Sequence, residues 1–498
     1  MTSTASSTNQ PALPREFGNR VRRAVLWLCL ASLASCYSGA HNTSLSPPNI
    51  VLIFVDDMGW GDVDCNAEAP WATPAIDQLA DEGVRFTDFY VAQPVCSASR
   101  AALLTGCYPN RLGLHGALGP NAKHGIADGE LTLAELCRDA GYATAMNGKW
   151  HLGCLPPFFP TRHGFDEWSG IPYSNDMWPN HPESPKAWVD LPTYDGDQVV
   201  ALNGDQSRFT TDFTERTVDF IERSVAAERP FFAYLAQPMP HVPLHVSAER
   251  EGGSSVGLYG DVIEEIDWSV GRVMSTLERL GVDEKTLVIF ASDNGPWLSY
   301  GDHAGLTGGL REGKGTTFEG GVRVPCLMRW PGVIPEQSLC TEPAMTIDVL
   351  PTIARLLGQP LPDHTIDGLD IWPLIVGEPG AVSAHESLAF YYHTSALEAL
   401  RAGRWKLHLA HGYRSMAGRA LGSAGKPGSY DYSRRIEGAL FDLESDPYET
   451  TDVSAAHPNV VERLLGLAEG WRVELGDSLT ERTGRGLREA GRVTQEDG

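Results

Sequence analysis

The sequence of 498 residues lacks the patterns that mark several large protein classes. Its nine cysteines are scattered without any Cys-x-x-Cys pair, which argues against a structural zinc site or a dense disulfide framework. Basic residues number 39 against 64 acidic residues, giving a net charge of -25, and no block of basic residues follows the N-terminal segment. Nucleic acid is therefore not expected as a partner. Internal repeats at solenoid periods are also lacking, which excludes a repeat architecture.

The N-terminal segment has the features of an export signal. Four arginines precede an apolar run at residues 24–31, which is too short to span a bilayer as a mature helix. Residues 33–36 read Leu-Ala-Ser-Cys and resemble a lipobox, in which cleavage before Cys36 leaves a lipidated N-terminus. We therefore predict an export signal with lipobox over residues 1–36 and a tether over 37–48. The mature protein is expected in the periplasm or at the cell surface, anchored in the membrane by this lipid alone, with secretion after ordinary signal cleavage as the alternative.

The central part of the chain alternates between strand and helix patterns. A continuous apolar run at residues 49–55 predicts a strand buried on both faces of a parallel sheet. Further strands are predicted at 142–146, 231–236 and 286–291, and helices at 73–83, 131–140 and 262–280. This alternation predicts an α/β domain with a large, doubly wound, mostly parallel sheet over residues 49–375.

The pattern changes after about residue 375. Short strand-like segments lie at 387–392, 405–409 and 440–443, separated by Gly-rich turns, and a helical pattern follows near 460–471. Residues 376–498 are therefore predicted to form a smaller α+β domain with an antiparallel sheet. Residues 412–429, rich in Gly, Ser and basic side chains, are predicted to be a loop.

Acidic and amide side chains follow two of the predicted strands. Asp56 and Asp57 come directly after the first strand, and Asp293 and Asn294 follow the strand at 286–291. Ligands of open α/β sheets bind beyond the carboxyl ends of the strands. Three carboxylates and an amide are hard oxygen donors, which suit Ca²⁺ or Mg²⁺ rather than Zn²⁺. Either pair alone is typical of a turn that ends a strand, but the two pairs together favour a metal site.

Cationic side chains follow other strand ends. Lys149 and His151 come after the strand at 142–146, His241 comes after the strand at 231–236, and Lys314 lies in a Gly-rich loop. Each of these alone is more often a surface charge or a structural histidine. Together with a metal and an arginine they would form a site that binds and neutralises a tetrahedral oxyanion.

Cys96 begins a helical pattern that ends at Gly106. A nucleophile at this position would lie at a helix N-terminus, where backbone N–H groups favour an anion. A plain thiolate, however, would be a soft ligand beside a hard metal ion. An isolated cysteine is also more commonly a small buried core residue.

These motifs resemble those of the type I sulfatases of the alkaline phosphatase superfamily, specifically the arylsulfatase A and N-acetylgalactosamine-6-sulfatase branch. The resemblance runs from about residue 49 to residues 440–447 and rests on five segments in order: residues 96–100, 104–106, 148–153, 292–295 and 313–323. The chain departs from the family at Ala98, where the pentapeptide read by the maturation enzyme usually carries Pro, and at Cys107, where Arg is common. The resemblance implies an alkaline phosphatase-like fold and a sulfuric ester hydrolase.

The resemblance further implies a modified nucleophile and one metal ion per chain. A formylglycine-generating enzyme would oxidise Cys96 to formylglycine (3-oxoalanine), an aldehyde whose hydrate attacks sulfur. Asp56, Asp57, Asp293 and Asn294 would hold Ca²⁺, joined by the oxygen of the modified Cys96. An oxygen at position 96 would remove the mismatch between a soft sulfur and a hard metal.

The remaining roles that the resemblance implies concern substrate and protons. Arg100 and Lys149 would position the hydrated aldehyde, and Lys149, His241 and Lys314 would hold the sulfate, with Ser174 as a further contact. His241 or Lys314 would donate a proton to the departing alcohol, which would be a carbohydrate or an aryl alcohol.

The same resemblance assigns two roles in proton removal. A carboxylate such as Asp293 would help to activate the attacking hydroxyl, and His151 would accept the proton of the second hydroxyl so that sulfate is eliminated.

Two other functions are compatible with the sequence. A phosphoesterase of the same superfamily would typically use Thr or Ser and bind zinc through additional histidines, and no such cluster is evident. A catalytically silent, lipid-anchored protein with unconverted Cys96 could bind sulfated glycans through its Ca²⁺ site, and Ala98 is the one feature that favours it. The sequence leaves open which sulfate ester is the substrate.

Overall fold

The computed structural model describes residues 46–181 and 183–493. Cys36, the predicted export signal and most of the predicted tether lie outside these residues. The helices of the described part are α1 to α9, at Pro74–Asp81, Cys96–Thr105, Leu133–Asp139, Phe209–Ala226, Leu258–Arg279, Glu319–Val322, Val349–Leu357, Trp372–Ile375 and Pro458–Leu475. None of the helices described here combines the length and the apolar character needed to cross a bilayer.

Ten strands form one large twisted sheet. In chain order the strands of the described part are β1 to β20, at Asn49–Val55, Val84–Phe86, Phe89–Tyr90, His124–Gly125, Ala143–Lys149, Glu167–Ile171, Pro192–Asp195, Gln198–Leu202, Phe231–Gln237, Thr286–Ser292, Cys326–Arg329, Ser338–Cys340, Ala344–Met345, Leu388–Tyr392, Ala396–Ala402, Trp405–His408, His411–Ser415, Asp431–Ile436, Ala439–Asp442 and Gly491–Arg492. The order across the large sheet is β12-β2-β11-β10-β1-β9-β5-β6-β7-β8. The central strands β10, β1, β9, β5 and β6 are parallel, as predicted, and antiparallel strands flank them on both sides.

Both faces of the large sheet are buried. Alternate residues of β1 enter two hydrophobic cores, with Leu52 in one and Ile53 in the other. Helices α2, α3 and α7 contribute to the first core, and α1, α4 and α5 to the second. The doubly wound α/β architecture is confirmed, because an apolar run without alternation requires cover on both faces.

A second, antiparallel sheet is formed by β14, β15, β16 and β19. Phe390 and Leu400 of this sheet belong to the first hydrophobic core together with Leu464 of α9, whereas Ala439 and Phe441 of β19 belong to a separate small cluster. The small antiparallel sheet with an accompanying helix is therefore confirmed. The division of the chain at residues 375 and 376 stays a prediction.

Local details differ from the sequence pattern in three places. Strand β5 extends to Lys149, so that this lysine is the last residue of the strand rather than part of the following loop. The hydroxyl of Thr73 accepts a hydrogen bond from the N–H of Asp64 at 3.0 Å instead of capping α1. Residues 412–415 belong to β17 and not to a loop. In the loop that follows, the N–H groups of Gly422 and Gly428 both donate hydrogen bonds to the carbonyl of Ser299.

Candidate active site

The two acidic pairs meet at the carboxyl ends of β1 and β10. These strands are parallel neighbours, with Val55 opposite Ser292, so the residues that follow them are brought to the same edge of the sheet. The N–H of Asp57 donates to Asp293 Oδ1 at 3.0 Å. Asp57 has φ of 64°, a left-handed conformation that a residue other than glycine adopts at a cost and that recurs at functional sites.

The oxygens of this cluster are incompletely satisfied. Asp56 Oδ1 and Asn294 Oδ1 are buried and, within the described part of the chain, accept no hydrogen bond. Ligand atoms of Asp56, Asp57, Cys96 and His241 all lie within 4.8 Å of one another. Buried polar atoms are nearly always paired, so two orphaned oxygens beside further carboxylates require a partner. The donor set fits a cation that prefers oxygen ligands.

The pKa values of Asp56 and Asp293 are shifted in opposite directions. Burial disfavours charge on Asp56, but Lys149, His241 and Arg100 outweigh it and hold the pKa of Asp56 well below its usual value. Burial and the neighbouring charge of Asp56 raise the pKa of Asp293 to about 7, despite the ion pair of Asp293 with Arg100. Repulsion from Asp56 and Asp57 contributes to the raised pKa of Asp293 although Arg100 and Lys149 lie nearby, so a further cation among these carboxylates would stabilise their ionised forms.

Cys96 is the first residue of α2, a helix that ends at Gly106 in the left-handed conformation (φ 68°). Its side chain is buried, and Lys314 Nζ donates to its Sγ at 3.4 Å. Burial and the nearby Asp56 raise the pKa of the Cys96 thiol far above its usual value. As plain cysteine it is therefore a protonated thiol and a poor nucleophile at neutral pH.

Three cationic side chains surround the acidic cluster. Arg100 Nη2 donates to Asp293 Oδ2 at 2.8 Å, and its Nη1 donates to the carbonyl of Lys149 at 3.0 Å. Lys149 Nζ pairs with Asp56 Oδ2 and donates to Ser174 Oγ at 3.1 Å. Lys314 Nζ donates to both carboxylate oxygens of Asp57, at 2.6 and 2.8 Å. All of these cations are buried, so their positions are fixed by pairing rather than by solvent.

The two predicted histidines make different contacts around this cluster of charges. His241 Nδ1 is 2.6 Å from the carbonyl of Val242, and its Nε2 is 3.5 Å from Ser174 Oγ and 3.7 Å from Asp57 Oδ2. His151, with φ of 66°, has Nε2 at 2.9 Å from the carbonyl of Leu118. Burial lowers the pKa of both imidazoles, with the charge of Lys314 adding for His241 and that of Lys149 for His151.

The structure thus brings together the residues that the sequence predicted. All of them within the described part of the chain, His151 excepted, are linked by direct hydrogen bonds or ion pairs into one network. His151 is close enough to Lys149, Arg100 and Asp56 for their charges to shift its pKa.

Two residues of the site were missed by the sequence interpretation. The ring of Trp297 lies with its centroid 4.6 Å from Lys314 Nζ and 5.6 Å from the ring of His241. Arg414, on β17, donates to the carbonyl of Lys314. Trp297 could have been found from its position three residues after Asn294, whereas nothing in the linear sequence connects Arg414 to this site.

Comparisons with known proteins identify the family of this chain. A family model described as Sulfatase matches residues 48–359, and one described as C-terminal region of aryl-sulfatase matches residues 383–482. The chain is 40% identical to N-acetylgalactosamine-6-sulfatase of Canis lupus familiaris over 405 residues, covering 78% of this chain and 76% of the relative. It is 39% identical to arylsulfatase A of Homo sapiens over 456 residues, covering 84% and 87%.

Several solved structures have the same fold as this chain. The structure of Ps i-CgsB in complex with k-i-k-neocarrahexaose is similar with a TM-score of 0.73 and 28% identity, covering 86% of this chain and 93% of that one. The PsFucS1 sulfatase from Pseudoalteromonas sp. has a TM-score of 0.74 and 26% identity, covering 93% and 96%. With a family model over most of its length and relatives near 40% identity, this chain belongs to the sulfatase family of sulfuric ester hydrolases.

Proposed function

We propose that this sulfatase cleaves a sulfate ester of a carbohydrate or an aryl alcohol, using Ca²⁺ and a formylglycine made from Cys96. The observation that carries the proposal is the pair of orphaned buried oxygens, Asp56 Oδ1 and Asn294 Oδ1, in the carboxylate cluster that also contains Cys96. A hard cation would satisfy both oxygens and would offset the repulsion among Asp56, Asp57 and Asp293.

The state of Cys96 supports its conversion. A protonated thiol is a weak nucleophile and a poor ligand for a hard cation, whereas an oxygen in the same place would suit both tasks. When bound, the metal and the hydrated aldehyde would supply an activated oxygen nucleophile and a Lewis acid for the sulfate. We propose that a formylglycine-generating enzyme performs this maturation.

The sulfate would be held by cations that already lie around the Cys96 side chain. Lys314 Nζ is 3.4 Å from Sγ, and Lys149 Nζ and His241 Nε2 lie 3.1 and 3.5 Å from Ser174 Oγ. We propose that these four side chains contact the sulfate. Donors fixed by burial lose little order when an oxyanion binds, which is the physical basis of electrostatic stabilisation in such sites. Arg100 holds Asp293 and the Lys149 carbonyl and would thereby orient the nucleophile.

Two hydrogen bonds of the site support the proposed tasks in proton transfer. The contact of His151 Nε2 with the Leu118 carbonyl requires the proton on Nε2, which leaves Nδ1 as an acceptor without a partner in the described residues. His151 Nδ1 would therefore accept a proton during sulfate release. Lys314, which pairs with Asp57, would donate to the departing alcohol. His241, 3.7 Å from the same carboxylate, would do so only once its Nε2 is protonated, because its Nδ1 proton bonds to the Val242 carbonyl.

The two other functions have weaker support. In the part of the chain that the structure describes, the metal-competent cluster contains one histidine, His241, whereas a zinc phosphoesterase would need more. The hypothesis of a catalytically silent protein that binds sulfated glycans is favoured by Ala98 alone. That residue is buried in α2, and its N–H donates to the carbonyl of Gly116 at 3.2 Å, a bond that proline could not make. This hydrogen bond is a structural reason for alanine instead of proline at position 98, and it does not depend on a loss of enzymatic activity.

Release of sulfate from a nitrophenyl sulfate by protein co-expressed with a formylglycine-generating enzyme tests the proposed function. Peptide mass spectrometry should find the Cys96 peptide lighter by about 18 Da, with other cysteine peptides unchanged as internal controls. Cys96→Ala should abolish turnover. Full activity of a preparation without the mass loss would contradict the proposed nucleophile.

We also propose export and anchoring through a lipid on Cys36. This residue lies outside the described part of the chain, so the proposal rests on the lipobox-like residues 33–36. Cys36→Ala should move the protein from the membrane fraction to the soluble fraction, with Cys65→Ala as a control that leaves fractionation unaltered. Unchanged membrane association of the Cys36 variant would contradict the lipid anchor.

A further inference from the structure

A cavity of about 570 Å³ lies between the Lys314 loop and the C-terminal strands. Its lining includes Gly315, the residue after Lys314, and Arg414, whose guanidinium donates to the Lys314 carbonyl. The cavity therefore lies beside the main chain of Lys314, whose Nζ contacts Asp57 and Cys96. Its volume is in the range of sites that bind small molecules.

The cavity lining includes two buried polar side chains that the proposed mechanism does not use. Glu398 and His411 are 2% and 1% exposed, and His411 Nε2 is 3.6 Å from Glu398 Oε2. Thr317 Oγ1 donates to Glu398 Oε2 at 3.0 Å. His411 Nδ1 lies 2.7 Å from the carbonyl of Leu409 and so carries the proton, which makes Nε2 an acceptor that lacks a hydrogen-bond partner among the described residues.

This pair is electrically neutral near pH 7. Burial raises the pKa of Glu398 to about 8, and burial together with His408 lowers the pKa of His411 to about 3. The cavity thus offers a carboxylic acid that can donate and an imidazole that can accept. Such groups match hydroxyl groups, each of which donates and accepts, better than they match a charged ligand.

Aromatic rings complete the lining. Tyr392, Tyr413 and Tyr432 line the cavity, and Tyr432 is 74% exposed, so that its ring is available to a ligand that enters from solvent. The guanidinium of Arg414 is already engaged by the Lys314 carbonyl and lies over the ring of Tyr430 at 4.5 Å. Rings beside neutral donors and acceptors suit a sugar, which has apolar C–H faces and polar hydroxyl edges.

We propose that this cavity binds the sugar ring next to the sulfated residue, so that the preferred substrate is a sulfated oligosaccharide rather than an aryl sulfate or a sulfated monosaccharide. The inference rests on the proposed function, because the cavity can serve as a second sugar site only if a sulfate ester is cleaved at the neighbouring Cys96. Glu398, His411 and Tyr432 determine specificity for the second ring and touch none of the reacting atoms. A site that hydrogen-bonds hydroxyl groups discriminates strongly against substrates that lack them.

The test compares three substrates: a nitrophenyl sulfate, a panel of sulfated monosaccharides, and disaccharides that carry the same sulfated residue. For the wild type, the best disaccharide should have a kcat/KM at least tenfold above that of its monosaccharide. Glu398→Ala and Tyr432→Ala should each reduce this ratio at least fivefold, whereas Glu398→Gln, which keeps a donor and an acceptor, should reduce it less than Glu398→Ala. Tyr448→Ala, which removes another exposed tyrosine away from this cavity, serves as the matched control.

The outcomes separate this inference from the proposed function. Turnover of nitrophenyl sulfate with no advantage of any disaccharide, or an unaltered ratio in both Glu398→Ala and Tyr432→Ala, would overturn the sugar subsite and leave the proposed function standing. Failure to release sulfate from any of the three substrate classes would overturn both. If Glu398→Ala does not fold, the ratio of kcat/KM measured for Tyr432→Ala, at an exposed residue, is by itself the test of the sugar subsite.

Discussion

The guanidinium of Arg414 donates through Nε, at 3.0 Å, and through Nη2 to the main-chain carbonyl of Lys314, a residue 100 positions earlier in the chain. The same guanidinium lies over the ring of Tyr430 at 4.5 Å. A strand of the C-terminal region thereby holds the loop that places Lys314 Nζ against Asp57 and Cys96. Arg414 is a positioning residue for Lys314.

Arg414→Ala should lower kcat for nitrophenyl sulfate about tenfold or more, because small displacements of a fixed charge at a reacting centre cost up to about 100-fold in rate. Arg414→Lys should recover part of the loss through a single hydrogen bond. Steady-state kinetics, with kcat and KM separated, check this prediction. Arg434→Ala, on the neighbouring strand β18, is the control. Wild-type kinetics in Arg414→Ala would show that the bond does not position Lys314.

Removal of the metal should lower both activity and stability. A chelator should abolish turnover and reduce the melting temperature, because Asp56, Asp57 and Asp293 then repel one another without a cation, and Ca²⁺ should restore both properties. A ligand present at 100 times its Kd contributes about 2.7 kcal/mol to the free energy of unfolding.

The control for this experiment is Asp56→Ala, in which the melting temperature should respond little to Ca²⁺. Restoration of activity by Zn²⁺ alone would favour the phosphoesterase over the sulfatase. The thermal measurement is independent of whether Cys96 has been converted.

Loss of Glu319 should destabilise the protein by roughly 3–5 kcal/mol. This fully buried carboxylate accepts hydrogen bonds from Tyr90 (2.8 Å), Arg323 (2.6 Å) and Lys406 (2.7 Å). Glu319→Ala leaves Arg323 with Asp88 and Lys406 with Glu449 as their remaining carboxylate partners, so two buried cations each lose one of their two ion pairs. Denaturant unfolding measures the change. Glu444→Gln, at an exposed ion pair with Arg404, should change the free energy of unfolding by less than about 1 kcal/mol.

The contribution of Glu319 should also depend on pH. Burial opposes charge on this carboxyl, but Lys406, Arg323 and Arg401 outweigh it and hold its pKa well below the ordinary 4.5. The stabilisation is therefore complete above about pH 4.5 and is lost progressively as the pH falls below that value. The difference in unfolding free energy between the wild type and Glu319→Gln should narrow in acid, and a constant difference from pH 7 to pH 3 would contradict this assignment.

Glu398 should show the opposite dependence. Its pKa is raised from 4.5 to about 8 by burial, so the folded state binds the proton more tightly than the unfolded state, and stability falls as the pH rises between these values. The slope for one proton is at most about 1.4 kcal/mol per pH unit. Thermal unfolding of Glu398→Gln from pH 5 to pH 8 should lack this decline, and parallel curves for the two proteins would show that Glu398 is already ionised.

The sequence alone located the strands that carry the site. The apolar runs that form β1, β9 and β10 are long and do not alternate with polar residues. This pattern is typical of strands in any sheet that is covered on both faces. Since parallel strands share their carboxyl ends, the pairing of Asp56 and Asp57 with Asp293 and Asn294 followed from element order.

Other features were beyond the reach of sequence patterns. The loop at 412–429 looks unstructured because of its composition, yet two of its N–H groups bind the Ser299 carbonyl, 123 or more positions earlier. Contacts of this kind depend on which distant backbone groups need partners, and composition carries no information on that point.

The residue types at the strand ends, and with them the chemistry of a hard cation and an oxyanion, were determined by the sequence itself, because side-chain chemistry is local. The tertiary structure alone decided which charges are buried against each other: Arg100 against Asp293, Lys314 against Asp57, and Arg414 against the Lys314 carbonyl. It also decided that Glu398 and His411 line a cavity and that the Cys96 thiol is held protonated. Desolvation and pairing arise from every element packed around a group, so they exist only once the chain has folded.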